Sequence, residues 1–473
     1  MKLSSRMAKF RGKRKVLEQV RIEGIAAEGK CIARVNDEVL FVEGVAPGDV
    51  VDVLVTRKKK NFMEGKPLTF HEYSKDRVEP FCKHFGVCGG CKWQHIPYDI
   101  QLKYKHQQVI DNLERIGKIP LPEISPILGS SKIKYYRNKL EYTFSNWKWL
   151  TKEEIATGED ADRRALGFHV PGSFDKILDI ETCYHQPDPS NEIRLSVRNY
   201  CLENDLPFFD LKRRTGNLRN LIIRNSSLDQ WMVIVQFAME HEKNMGLMEH
   251  IKTAFPHIHS LQYVINDKGN ETFHDLEVVL YYGEAHITEA MEDVRFRVGP
   301  KSFYQTNASQ AYELYKIARD YADLKGDEVV YDLYTGTGTI ANFIAKDAKK
   351  VIGLEYVEAA IEDAKLNSEI NGVTNTEFYA GDMRELLNDD FMSNHDKPDV
   401  IITDPPRAGM HEDVIGMLLK IEAKKIVYVS CNPATQARDL ALLDAKYSVK
   451  KVQPVDMFPQ THHVENVVLL TLK

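Results

Sequence analysis

A chain of 473 residues with 43% hydrophobic and 10% aromatic content can bury about two to four cores at roughly 150 residues each, so burial does not limit it. No apolar run approaches the roughly 20 residues that cross a bilayer, and the basic segment Met1 to Lys15 runs into mixed charged sequence, so neither a membrane span nor a secretory leader is read and a cytoplasmic location is expected. The net charge of -6 hides an asymmetry, because the first fifteen residues carry seven Lys or Arg and no acid and Arg57-Lys58-Lys59-Lys60 adds a second cluster, which suits a phosphate backbone or a solvated tail and loop.

Between Val16 and Phe70, short β-rich runs alternate with turns at Gly24, Gly29, Gly44 and Pro47-Gly48, the pattern of a small β-barrel. The segment resembles a TRAM domain, an RNA-binding barrel of the oligonucleotide-binding type, which implies that the basic clusters are its contact surface. A Cys- and Gly-rich loop follows from Phe81 to Trp93. Asp99 to Ile116 then places apolar residues at Leu102, Val109, Ile110, Leu113 and Ile116, with Asp99 as cap and Gly117 as stop, which predicts a helix. From Tyr135 to about Arg295 the runs are mostly strand-like, predicting an α+β middle domain with an extended sheet.

Seven cysteines, an odd number, argue against a disulfide framework and for metal or catalytic use. Cys82, Cys88 and Cys91 share one loop, and Cys183 can supply a fourth thiolate from the middle domain. Four thiolates suit a [4Fe-4S] cluster or a structural zinc. Zinc sites more often use two short Cys pairs, so three ligands together and one distant favour iron and sulfur. Cys31 and Cys201 read as small core residues.

From Glu328 onward strands and helices alternate, the periodicity of a doubly wound sheet. Closing strands around Val449 to Val455 and Val464 to Leu472 are expected to pair antiparallel, as a seven-stranded methyltransferase sheet requires. Tyr331-Asp332-Leu333-Tyr334-Thr335-Gly336-Thr337-Gly338-Thr339 leaves a strand and enters a helix, with glycines where a ligand must approach the backbone. Glu355 ends the next strand, nineteen residues beyond Gly336, where an acid accepts from ribose hydroxyls. Asp382 is placed to reach an adenine or to close a turn. Ala341 stands where a dinucleotide fingerprint has its last glycine, which favours adenosylmethionine over nicotinamide or flavin.

Asp404-Pro405-Pro406-Arg407 fixes a rigid turn, and Arg407 stands where amino-methylating enzymes carry a stacking aromatic, which argues against adenine N6 as target. Ser430-Cys431-Asn432-Pro433 then puts a thiol at the end of the run Ile426 to Val429, where doubly wound sheets bind ligands. Uracil carbon 5 is a poor nucleophile; a thiolate added to carbon 6 makes an enolate that attacks an activated methyl group, and a base must then remove the carbon-5 proton. A thiol of pKa roughly 8.5 is about 3% ionised at pH 7, so the site must activate Cys431, and the N-terminus of the helix from Ala434 is the expected source. Glu465, in His462-His463-Val464-Glu465, is the candidate base, its pKa raised by shielding from water, with His462 and His463 as rivals.

The DPPR turn, the SCNP nucleophile and the H-x-E close resemble the RNA uracil-5-methyltransferase family, over nearly the whole chain. The resemblance implies Gln305, Tyr334, Glu355 and Asp404 around S-adenosylmethionine, Thr339 as a weaker contact where the family often has Asn, Cys431 as nucleophile, Glu465 as base, and a [4Fe-4S] cluster in preference to zinc. The expected fold is multidomain: a TRAM-like β-barrel over 1–75, a central α+β iron-sulfur domain over 76–295 that includes the helix 99–116, and a Rossmann-like α/β methyltransferase domain over 296–473. Barrel plus cluster resembles the branch acting on 23S ribosomal RNA, ahead of tRNA, with 5-methyluridine as product and no obligate protein partner. A non-catalytic RNA-binding or assembly factor is the reading from another class; intact Cys431, Glu465 and Gln305 oppose it.

Overall fold

The computed structural model describes residues 15–26, 29–157 and 162–473, so the basic run before Lys15 lies outside the described residues. The chain divides into two compact units, one of residues 1–86, 91–104 and 460–462, the other of residues 87–90, 105–459 and 463–473.

In the first unit the strands Val16–Arg21, Gly24–Ile25, Cys31–Val35, Glu38–Val42, Val50–Lys58 and Phe62–Glu72 form one sheet, in spatial order first, fifth, sixth, fourth, third, second. The two-residue period sends Ala33, Leu40, Val42, Val51, Val53 and Met63 into one core. Phe62–Glu72 escapes the sequence reading because Glu64, Lys66 and Pro67 interrupt its apolar period; three irregularities in its pairing with Val50–Lys58 absorb the misfit. Arg57 and Lys58 pair with Glu64 at 3.7 Å and Glu38 at 2.8 Å, which partly neutralises the second basic cluster. Cys31 is buried, as read, its thiol donating to the Val45 carbonyl at 3.0 Å.

The expected helix runs from Tyr98 to Asn112 and widens into a π turn over Leu113–Gly117. Its stop is Lys118, in the left-handed region with φ 52°, rather than Gly117, because the wider turn carries the closing amide to the Leu113 carbonyl one residue later.

The second unit holds two seven-stranded sheets. The middle one orders Val279–Gly283, Ser260–Ile265, Trp231–Phe237, Leu218–Asn225, Lys139–Ser145, Ala165–Val170 and Ser173–Asp179, mostly antiparallel, and the helices Ser190–Glu203 and Asn244–Ala254 contribute Ile193, Val197, Leu247 and Ile251 to the core on one of its faces. The C-terminal sheet orders Thr376–Ala380, Lys350–Glu355, Val329–Leu333, Val400–Thr403, Lys425–Ser430, Glu465–Leu472 and Tyr447–Val455. Its first five strands are parallel, and Glu465–Leu472 runs antiparallel to both neighbours, as the two closing runs predict. One apolar cluster takes Ile222, Met232 and Ile234 from the middle sheet together with Val330, Ile402 and Val427 from the C-terminal one, so the two sheets share a core. No helix among the described residues is long and apolar enough to cross a membrane.

Candidate active site

The strand ends of the parallel sheet gather most of the chemistry the sequence singles out. Val329–Leu333 runs into Tyr334, at φ 64°, then Gly336 at φ 57° and Gly338 at φ 71°. A Cβ on Gly338 would lie 2.8 Å from the Ala364 Cβ, whereas one on Gly336 would meet nothing within 4 Å. Gly338 therefore serves packing, and Gly336 leaves an open backbone face for a ligand. The Gly336 amide donates to Glu355 Oε2 at 3.1 Å and the Val357 amide to its Oε1 at 2.9 Å, which holds that carboxylate beside the loop. Thr339 Oγ1 lies 3.3 Å from Thr337 Oγ1. Asp382 caps the short helix Met383–Leu386 and takes Arg384 Nε and Nη2 at 3.0 and 2.6 Å; this bonding depresses its pKa to about 2.

Beneath the loop, Asp332 is buried. Its Oδ2 accepts from Thr335 Oγ1 at 2.5 Å and from the Ala341 amide at 3.1 Å, and its Oδ1 has no partner. Burial raises it to about 7. Asp404 is likewise raised to about 7, by burial and then by the nearby Asp332 charge, and Glu465 to about 8, by burial and then by Asp404. Three carboxyl groups at the ends of three strands are thus desolvated, with Asp404 feeling Asp332 and Glu465 feeling Asp404, and resist ionising together. A cation placed among them would relieve that repulsion.

Ser430 and Asn432 fold the turn that carries Cys431. The Asn432 amide donates to Ser430 Oγ at 3.1 Å, and the Asn432 side chain caps the helix Pro433–Leu443. Asn432 Nδ2 and Thr435 Oγ1 both donate to the Arg407 carbonyl, at 3.0 and 3.2 Å, which clamps the DPPR turn to the SCNP turn. Gln436 donates to the Asn466 carbonyl at 3.2 Å and accepts from its Nδ2 at 2.7 Å, fixing the strand start that carries Glu465.

Cys431 is therefore brought together with Arg407, Asp404 and Glu465. Its thiol is pushed up to about 11, by burial first and then by Glu465 and Asp404; the Arg407 guanidinium, hydrogen-bonded to it, pulls the other way. The expected activation by the following helix does not decide the balance, because two acids and desolvation oppose it, and the group placed to stabilise a thiolate is Arg407. Its Nη2 also bonds His463 Nδ1 at 2.9 Å. Of the two histidines proposed as rival bases, His463 is thus engaged by Arg407, while His462 belongs to the first unit, where its Cβ would stand 2.8 Å from a Cβ on Gly29. Arg407→Met should slow iodoacetamide alkylation of Cys431 at pH 8 by about tenfold, one unit of thiol pKa, read by peptide mass spectrometry; an unchanged rate would deny the arginine this role.

Gln305 lies in a loop gripped from three sides. Asn138 donates through its amide to the Thr306 carbonyl at 2.8 Å and through Nδ2 to the Gln305 carbonyl at 3.0 Å, Arg224 Nη1 donates to the carbonyls of Gly299 and Ser302 at 2.8 and 3.0 Å, and Asn307 Nδ2 donates to the Met457 carbonyl at 2.9 Å. The buried Tyr315 hydroxyl meets the Gln305 side chain, and burial and Asp404 hold its pKa far above the ordinary range. Tyr315, Asp332 and Asn138 escape the sequence reading; only Asp332 stood inside a motif.

Cys31, Cys183 and Cys201 are buried, and Cys82, Cys88, Cys91 and Cys431 are half-buried. In the first unit, the backbone amides of His84 and Phe85 are directed at Cys82, whose pKa burial nevertheless raises. In the second, Cys88 packs on the apolar cluster that contains Cys183, and the Gly90 amide donates to Cys88 Sγ at 3.4 Å. Among the described residues no group of three or more His, Cys, Asp or Glu is arranged to hold a metal ion, so the iron-sulfur character expected of the central domain is not seen.

A family model described as tRNA (Uracil-5-)-methyltransferase matches residues 278–473, and one described as TRAM domain matches residues 14–68. A protein of Bacteroides thetaiotaomicron described as an uncharacterized RNA methyltransferase is 60% identical over 454 residues, covering 95% of this chain and all of the relative. Another so described, from Porphyromonas gingivalis, is 56% identical over 459 residues, covering 95% and 98%. The crystal structure of Pyrococcus abyssi tRNA (uracil-54, C5)-methyltransferase in complex with S-adenosyl-L-homocysteine superposes with a TM-score of 0.75 at 28% identity, covering 96% of this chain and 100% of that one.

Proposed function

Because this chain belongs to the RNA (uracil-5-)-methyltransferase family, with a TRAM domain and S-adenosylmethionine as methyl donor, we propose that it methylates carbon 5 of a uridine in 23S ribosomal RNA, in the cytoplasm, through a covalent adduct on Cys431. The observation that carries the mechanism is the thiol of Cys431 against the Arg407 guanidinium, with the buried Glu465 carboxyl raised to about 8 beside it.

The open backbone face at Gly336, the unpartnered Asp332 Oδ1 and the crowded carboxyls Asp332 and Asp404 fit a cationic nucleoside. Glu355 would take its ribose hydroxyls, Tyr334 and Gln305 would flank it, and Thr339 and Asp382 would lie on the loops around it. When bound, the donor supplies an electrophilic methyl group on sulfur. A uridine flipped from its stack meets Cys431. Arg407 would stabilise the thiolate as it forms, the sulfur would bond to carbon 6, and the electron pair of the ring double bond would become the enolate that takes the methyl group at carbon 5, the donor being left as a neutral thioether. Glu465 then removes the carbon-5 proton, the double bond reforms and the carbon-sulfur bond breaks, returning the thiolate.

Cys82, Cys88, Cys91 and Cys183 would supply the donor chemistry of an iron-sulfur cluster, with backbone amides directed at Cys82 and Cys88. It would serve to hold the fold, and no step of the reaction passes through it. The barrel and these cysteines support ribosomal RNA; the similarity to an enzyme named for uracil 54 of tRNA supports tRNA as the second reading. Anaerobically purified protein should contain about four iron and four labile sulfide per chain and release tritium from [5-³H]uridine in 23S ribosomal RNA but not in tRNA. Release from tRNA alone would reverse the substrate assignment, and release from neither would remove the carbon-5 chemistry.

A further inference from the structure

The strand Lys139–Ser145 sends Leu140, Tyr142 and Phe144 into the core of the middle sheet. By the two-residue period, Lys139, Glu141 and Thr143 stand on its other face, with Arg137 two residues before them. Register puts Arg224 beside Lys139, Ile222 beside Glu141 and Asn220 beside Thr143. Asn220 Nδ2 donates to Thr143 Oγ1 at 3.3 Å, and that oxygen lies 3.4 Å from His169 Nε2. The stripe begins at the reaction centre. Asn138 bonds the Gln305 carbonyl, the Arg137 guanidinium sits 5.6 Å from the centre of the Phe458 ring, and Phe458 stands edge-on to His463, the partner of Arg407.

Three observations mark this face as a surface for a ligand. Arg137 Nε and Asn220 Oδ1 are buried without hydrogen-bond partners, and Asn220 is 0% exposed. Neither Lys139 nor Glu141 enters an ion pair or a side-chain hydrogen bond among the described residues. Glu141 is exposed, yet surrounding protein holds its carboxyl above the ordinary range against the pull of Lys139, as befits the wall of a cleft.

We propose that the stripe is the subsite for the nucleotide adjoining the target uridine, with Arg137 and Lys139 meeting its phosphate and Glu141 accepting from an amino group on its base edge. The inference rests on the RNA uridine reading above. Cations alternating on one strand face bind a phosphodiester without reading sequence. A carboxylate in the same cleft repels that backbone and is accommodated only against a donor. Cytosine, adenine and guanine carry an exocyclic amino group with two donor hydrogens on the base edge and uracil offers only its ring N3–H, so a Glu141 placed against the exocyclic position discriminates against uridine there.

The test uses short RNAs with one [5-³H]uridine, varied to each of the four bases immediately 5′ and 3′ of it. At one of the two positions the wild-type enzyme should favour an amino-bearing base over uracil by about tenfold in kcat/KM. Glu141→Gln, which both donates and accepts, should lose that preference while still turning over. Lys139→Gln should raise KM alike for all four bases and reduce the salt dependence of binding by about one phosphate contact. Equal rates for all four bases with wild-type enzyme, or an undiminished preference in Glu141→Gln, overturns the subsite. If no RNA releases tritium, the uridine reading fails by itself, and the subsite is then judged on equilibrium binding of the same RNAs, where absence of a flank preference overturns it too.

Discussion

Cys431→Ala abolishes both tritium release from uridine carbon 5 and the covalent enzyme-RNA complex, with a rate loss of about 10⁶-fold, the scale seen when a catalytic nucleophile is removed. No neighbouring group can substitute. Asp404 and Glu465 are carboxyls raised to about 7 and 8, and Arg407 is a cation with no pair to donate. The fold should tolerate the change, because Ser430 and Asn432, not the thiol, carry the hydrogen bonds that shape the turn and cap the helix. Binding of S-adenosylmethionine, followed by calorimetry, should survive within a few-fold. Turnover by the alanine variant above about one part in 10⁴ would mean that the methyl group reaches the base without a thiol adduct.

Glu465→Gln separates the two halves of the reaction. At pH 7 a carboxyl raised to about 8 is mostly protonated, so the amide replaces a neutral group of the same shape and should cost little stability. Thiol addition and methyl transfer need only Cys431 and Arg407, and they proceed. Proton removal from carbon 5 does not, so a complex that survives denaturing gel electrophoresis accumulates with one methyl group per RNA, and tritium release falls by about 10²–10⁴-fold. The pH dependence carries a sign. The acting form of Glu465 is the carboxylate, which appears as pH rises through about 8, so release by the wild-type enzyme should climb from pH 6, and the part of the rise that belongs to Glu465 should be complete about one unit above that value. In the glutamine variant the part of this rise that belongs to Glu465 should vanish. Rapid tritium release by Glu465→Gln, with no trapped complex, would move the base to another group.

Both variants were nameable from the residues alone, and the reason is locality. A strand that turns at Gly336 and Gly338 into a helix, two prolines after Asp404, and a cysteine capped by Asn432 and Pro433 are patterns written within a few positions. The alternation of strand and helix after Glu328 and the antiparallel close need only the two periods of backbone geometry. For the same reason Phe62–Glu72 was missed: its pattern is broken by charges and a proline, and only pairing with Val50–Lys58 makes it a strand.

What local pattern could not decide is how charges add across elements. Arg407 stands inside the DPPR motif, but its hydrogen bond to Cys431 depends on Asn432 and Thr435 clamping two turns some twenty-five residues apart. The sign of the Cys431 shift depends on Glu465 and Asp404 arriving from the ends of two other strands, and the high values of Asp332, Asp404 and Glu465 depend on desolvation by the protein packed around them. The stripe from Arg137 to Glu141 comes beside the Gln305 loop only when the two sheets share a core. Sequence determined the elements and the chemically competent side chains, because those follow from period, capping and residue type. Tertiary structure decided their protonation and partnership, because dielectric and charge proximity are properties of packing and not of spacing along the chain.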